Sequence, residues 1–240
     1  MTSAPMAVAP AQSRTILRTT ESGDFLMSDY LGEHSDGSAT GGFQAYLVGQ
    51  KAEKLRPHYH EVDQFQVVLD GSGRLGRHAI GVGTVHYSDA YTVYGPIFAD
   101  APDGLSYFTL RLDPAAGLNY MPESRVKGET RAGEHFTCAI DDAAGETGKL
   151  DLLARTRRGA AAFGIALDLG GVLTADALAE CVGRGYAVVL SGSVAFGDRT
   201  LPSGSLIPFE SAVALEGLSG QSDRTNLALV VFATLSEPTQ

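Results

Sequence analysis

The chain has 240 residues, 44% hydrophobic and 19% charged, with a formal net charge of −10 and a pI near 5.0. That length is enough for one large domain or two small ones with real cores, and the acidic balance repels a phosphate backbone, which argues against nucleic acid as a partner. No apolar run approaches the roughly 20 residues of a membrane helix. Two cysteines, Cys138 and Cys181, lack any CxxC or zinc-ligand spacing. They read as small buried residues, reduced in an expected cytoplasmic setting.

In chain order, "MTSAPMAVAPAQSR" has neither a basic n-region nor an apolar h-region, so residues 1–14 read as a disordered tail. Short segments rich in Val, Ile, Leu, Tyr and Phe then recur between Gly, Asp, Ser and Pro. They are "GFQAYLVG" (42–49), "QFQVVLDG" (64–71), "GTVHYSD" (83–89), "LSYFTLRLD" (105–113) and "YAVVLSGSVAFG" (186–197). This spacing predicts an all-β sandwich or barrel. The helix candidates are 147–161 and 174–183, the second short enough to be a loop.

The stretch "VVLDGSGRLG" (67–76) aligns without a gap to "VVLSGSVAFG" (188–197), six of ten positions being identical at an offset of 121. Such an offset, near half the chain, points to an internal duplication. The boundaries that follow are 15–140 for the first domain, an acidic linker "DDAAGETGK" over 141–149, and 150–236 for the second.

The chemistry concentrates in "RPHYHEVDQFQ" (56–66). Residues i and i+2 of a strand share a face, so His58 and His60 point inward together, and Gln64, Gln66 and Val68 share a face away from Asp63 and Phe65. Inward polar groups are costly in an apolar interior unless a ligand, ordered water or metal satisfies them.

His58-x-His60, three residues, Gln64, six residues and Gly71 resemble the first motif of the cupin superfamily, which has a glutamate where Gln64 stands and a leading glycine that is displaced here, Gly49 being nearest. The second motif is incomplete: "HYSDAYTVYGPI" (86–97) carries an Asp and a Gly-Pro, but no histidine follows before His135. The resemblance implies a bicupin, two jelly-roll-like β-barrels in one chain. The second copy carries Ala179, Cys181 and Gly185 where the first has His58, His60 and Gln64, and so has no ligand equivalents.

On that resemblance the first barrel holds a divalent transition metal through His58, His60 and Gln64. Fe(II) is favoured, and Mn, Ni, Zn and Cu fit the same donors. Two positions compete for the missing ligand: His86, otherwise an outward strand residue, and Tyr94, which reads first as a rim aromatic and otherwise as ligand or proton donor. A neutral first shell favours a small anionic organic substrate, with Arg56 at the mouth pairing its carboxylate, and predicts that Gln64→Glu tightens metal binding. His78 reads as exposed, His135 as a structural strand residue, and His34 as part of a loop. The implied activity is dioxygenase-like oxidation. The alternatives are a metal-assisted isomerase, cyclase or lyase, or a non-catalytic bicupin that binds a small ligand. A homodimer is the expected assembly.

Overall fold

The structure, a computed structural model, describes residues 6–32, 42–100, 102, 104–115, 117–124, 130–140 and 146–233. The chain divides into two compact units: Pro10–Ala139, and Met1–Ala9 together with Ile140–Gln240. Among the described residues there is no α-helix, and no helix long and apolar enough to cross a membrane.

The first unit is built on one antiparallel sheet. Its strand order is Arg14–Thr20, Gly23–Leu31, Gln44–Gln50, Leu105–Arg111, Gln64–Leu75, Thr84–Ser88 and His135–Ala139. The path is open, so the expected barrel is not closed by pairing. Gln64–Leu75 organises the unit. Its first half pairs with Leu105–Arg111 and Thr84–Ser88, and its second half turns away to pair with His78–Gly81 and Ile97–Ala99. Gly71 sits at the change of direction with φ +78°, and a Cβ there would run into the carbonyl of Gly104. The glycine that follows Gln64 after six intervening residues is thus required by both backbone conformation and close approach.

The second unit repeats this core at the offset seen in the sequence. Gln64, Phe65, Gln66 and Val67 pair with Ser88, Tyr87, His86 and Val85. Gly185, Tyr186, Ala187 and Val188 pair with Phe209, Pro208, Ile207 and Leu206 in the same register, 121 residues later. The bond from Gly83 N to Val68 O recurs from Gly204 N to Val189 O. What differs is the filling. Gln64, Gln66, His86 and Arg111 are buried at the paired positions of the first unit. Their counterparts Gly185, Ala187, Ile207 and Val231 belong to an apolar interior packed with Phe163, Leu227 and Leu229.

Two expectations need correction, and a third, 174–183, takes the loop form its shortness allowed. Residues 6–14 are not a free tail: Ala7 is buried, Val8 bridges Leu206, and Arg14 opens a strand. The helix expected over 147–161 is instead a hairpin, Asp151–Arg155 against Ala161–Asp168. Gly159 at φ +100° lets the chain reverse there, and cross-strand pairing outweighs the modest helix propensity. Residues 174–183 form successive turns that bury Leu178 and Cys181. Part of the linker, 141–145, lies outside the described residues, as does His34.

Candidate functional site

A two-residue strand, His58–Tyr59, positions the histidines. Its His58 forms a two-way backbone bridge with Tyr94, the amide of each donating to the carbonyl of the other at 3.1 and 3.0 Å. The turn before Tyr94 is held by Tyr91 N donating to His60 O at 2.7 Å, with Tyr91 in the left-handed region at φ +63°. As a result His58, His60 and Tyr94 face one another, the two imidazole centroids 5.2 Å apart and the His58 ring 4.5 Å from Tyr94. Gln64 and Arg111 reach the same place from adjacent strands.

The hydrogen bonds around this cluster have a direction that the chemistry of their ends fixes. Arg111 has only donors. Its Nε and Nη2 donate to Gln64 Oε1 at 3.2 and 3.0 Å. With its oxygen taken, Gln64 donates through Nε2 to the Tyr94 hydroxyl oxygen. The Tyr94 hydroxyl then donates to His58 Nε2 at 2.9 Å, and His58 Nδ1 donates to the Arg56 carbonyl at 2.8 Å. A carbonyl can only accept, so the His58 proton is on Nδ1 and Nε2 is the acceptor. His60 is set the opposite way. Arg111 Nη2 donates to its Nδ1 at 3.0 Å, so the neutral ring carries its proton on Nε2.

Arg111 is fully buried. Its Nη1 donates to Gln44 Oε1 at 3.0 Å and to the Ala115 carbonyl at 2.7 Å, and its Cζ lies 5.4 Å from the centroid of the Tyr46 ring. Burial pushes the pKa of His58 down to about 4, with the nearby Arg111 charge acting in the same direction. Burial likewise raises the Tyr94 phenol, and Arg111 partly opposes that. Near neutral pH the cluster therefore comprises a neutral imidazole, a neutral phenol and a permanent guanidinium charge.

His58, His60 and Tyr94 of this cluster line a cavity of about 420 Å³, within the range of small-molecule sites. Phe25, Met27, Val48, Tyr107 and Leu118 give it apolar walls, while His58, His60, Gln66 and Tyr94 line its polar part together with the charged Arg18 and Glu21. Tyr120 also lines it, with a buried hydroxyl that has no hydrogen-bond partner.

Of the residues singled out from sequence, His58, His60, Gln64 and Tyr94 come together here. His86 lies beside them, its ring 5.0 Å from Tyr94, with Nδ1 bonded to Thr137 Oγ1 at 2.9 Å. It is not an outward residue: it is buried, its Nε2 has no partner, and desolvation lowers its pKa to about 3. That nitrogen belongs to a residue lining a second cavity of about 10 Å³ with Gln66, room for about one water. Arg56 is not placed as an anchor for substrate. It bonds Glu21 at 2.9 Å, Glu123 at 2.6 Å and the Met121 carbonyl at 2.8 Å, with Tyr120 beneath it. His78 and His135 are exposed. Arg111 was missed altogether. Its signal was a charged residue in the alternation of "LSYFTLR", sharing the cavity-facing side of its strand with Tyr107 and Thr109.

No protein-family model matches the chain, and no curated protein matches its sequence. Solved structures do. A "putative dioxygenase" of Nostoc punctiforme superposes over 100% of this chain and 89% of its own, with a TM-score of 0.61 at 10% identity. Oxalate decarboxylase of Bacillus subtilis, known for its Mn(II) centres, does so over 99% and 79%, with a TM-score of 0.60 at 11% identity. The Lactobacillus farciminis oxalate decarboxylase, in complex with formate, matches over 98% and 87%, with a TM-score of 0.61 at 11% identity. These are cupin-fold proteins. The chain has their fold.

That fold raises the question of a metal, and the donor chemistry gives the answer for this arrangement. Among the described residues no group of three His, Cys, Asp or Glu side chains converges. His58 has the tautomer a ligand needs, but its Nε2 already accepts from Tyr94. His60 has the other tautomer. Ligating through Nε2 would require a proton on Nδ1 and an acceptor facing it, and Arg111 offers only donors. The Gln64 oxygen is turned to the same guanidinium. A divalent cation does not fit the residues as they stand.

Proposed function

We propose that the first unit binds a small organic carboxylate with an apolar, preferably aromatic, body in the 420 Å³ cavity, and does so without a metal. The observation that carries this reading is the directed chain from Arg111 through Gln64 and Tyr94 to His58. It puts the buried Arg111 charge directly behind His60, which lines the cavity with His58 and Tyr94, and Arg18 adds a second guanidinium to the lining. On this reading the two units are a duplicated pair of cupin domains, and the second, with its apolar interior, is structural.

A second reading, a metal-dependent dioxygenase-like enzyme with the metal on His58, His60 and Gln64, is favoured by the fold shared with the Nostoc protein and the Mn(II) decarboxylase. It requires Arg111 to leave His60 and Gln64. Calorimetric titration with benzoate, 3-phenylpropionate and acetate in EDTA separates the two. Binding of the two aromatic acids but not acetate, weakened at least tenfold by His60→Ala, is the expected result. If no carboxylate binds in EDTA while binding appears on adding Mn(II) or Fe(II), the metal-free reading is wrong.

A further inference from the structure

The three residues that resemble cupin metal ligands are not merely short of a metal. Two of them are held by one side chain. Arg111 donates twice to Gln64 Oε1 and once to His60 Nδ1, and it is completely buried while doing so. It comes from Leu105–Arg111, the strand that pairs with Gln64–Leu75 on the side away from His86.

Deepening the metal-free reading above, we propose that Arg111 is the resident cation of this site. It takes the place of the ion, sets the His60 tautomer that bars ligation, and thereby masks a latent metal site formed by His58, His60 and Gln64. A guanidinium and a divalent ion repel, they compete for Gln64 Oε1, and the guanidinium at His60 Nδ1 keeps the proton on Nε2 where a metal would bind. A guanidinium is also never deprotonated in proteins, so the exclusion holds at any ordinary pH. The inference reverses the expectation from sequence for Gln64→Glu. Beside Arg111 the new carboxylate makes a bidentate ion pair, and metal affinity stays where it was.

Two experiments test this on the full chain. Long-range ¹H–¹⁵N spectra of the histidine rings in the wild-type protein, assigned with His58→Gln and His60→Gln, report the tautomers directly. His60 protonated on Nε2 and His58 on Nδ1 are expected, and His60 protonated on Nδ1 overturns the proposal. The second is equilibrium dialysis with Ni(II), Zn(II) and Mn(II). Arg111→Met is expected to bind Ni(II) or Zn(II) at least tenfold more tightly than wild type, and Arg111→Met with Gln64→Glu more tightly still. His60→Ala in either background is expected to abolish the gain, and Gln64→Glu alone to give none. A tenfold gain from Gln64→Glu alone, or wild-type affinity equal to that of folded Arg111→Met, overturns it. Should Arg111→Met not fold, the tautomer spectra decide. Neither experiment reads carboxylate binding, so this inference and the functional reading fail separately.

Discussion

Mild acid is expected to unfold the first unit well before the second, because two buried imidazoles in it refuse protons that the unfolded chain accepts. Burial lowers His58 to about 4 and His86 to about 3, against an ordinary histidine value of 6.5. Both pKa values are depressed, so their contribution is constant above pH 6.5 and is lost as pH falls below it, where the unfolded state binds more protons than the folded one. At pH 4.5 both rings are still neutral in the folded unit. Each then costs the difference between 6.5 and 4.5 at 1.36 kcal/mol per unit, about 3 kcal/mol. The pair together is comparable with the whole stability of an ordinary domain, about 5–15 kcal/mol. The second unit carries no such cost, since all six histidines lie between residues 34 and 135. The assay is urea unfolding followed by tyrosine fluorescence at pH 7.0, 5.5 and 4.5. The chain lacks tryptophan and has eight of its nine tyrosines in the first unit, Tyr186 being the exception, so this signal reports the right unit. The midpoint should fall steeply between pH 6.5 and 4.5, and His86→Gln should remove about half of the fall. A midpoint independent of pH over that range, or His58 and His86 ring resonances titrating near 6.5, would refute the reasoning.

Two smaller changes probe the packing and the mouth of the cavity. Gly185→Ala puts a methyl group into the Val230 carbonyl and within 2.9 Å of the Phe209 ring. It should cost the second unit about 1–3 kcal/mol of overpacking, seen as a lower calorimetric transition for that unit alone; an unchanged transition would show that the strand can shift to make room. Arg56→Ala breaks two ion pairs whose carboxylates are largely exposed, Glu21 at 69% and Glu123 at 63%. It should therefore cost little stability, as solvent-screened surface pairs do, and leave benzoate affinity within about threefold; a tenfold loss of affinity would restore the substrate-anchoring role that its sequence position suggested.

How much was legible in advance follows from the range of each interaction. Strand alternation is a local rule, so the inward placement of His58, His60, Gln64 and Gln66 could be read from "PHYHEVDQFQ" alone. The likeness of "VVLDGSGRLG" to "VVLSGSVAFG" was equally plain, and the same 121-residue offset reappears in the strand register and in the glycines at 71 and 192. The lack of ligand equivalents in the second unit was visible as Gly185 at the position of Gln64 when the same offset is extended upstream. Arg111 was beyond such reading. It lies 47 residues from Gln64 and 51 from His60, and only the pairing of Leu105–Arg111 with Gln64–Leu75 carries its side chain to theirs. Sequence determined which polar groups turn inward. Tertiary structure decided which proton each carries and which cation stands among them, because hydrogen-bond direction depends on the partner across the sheet.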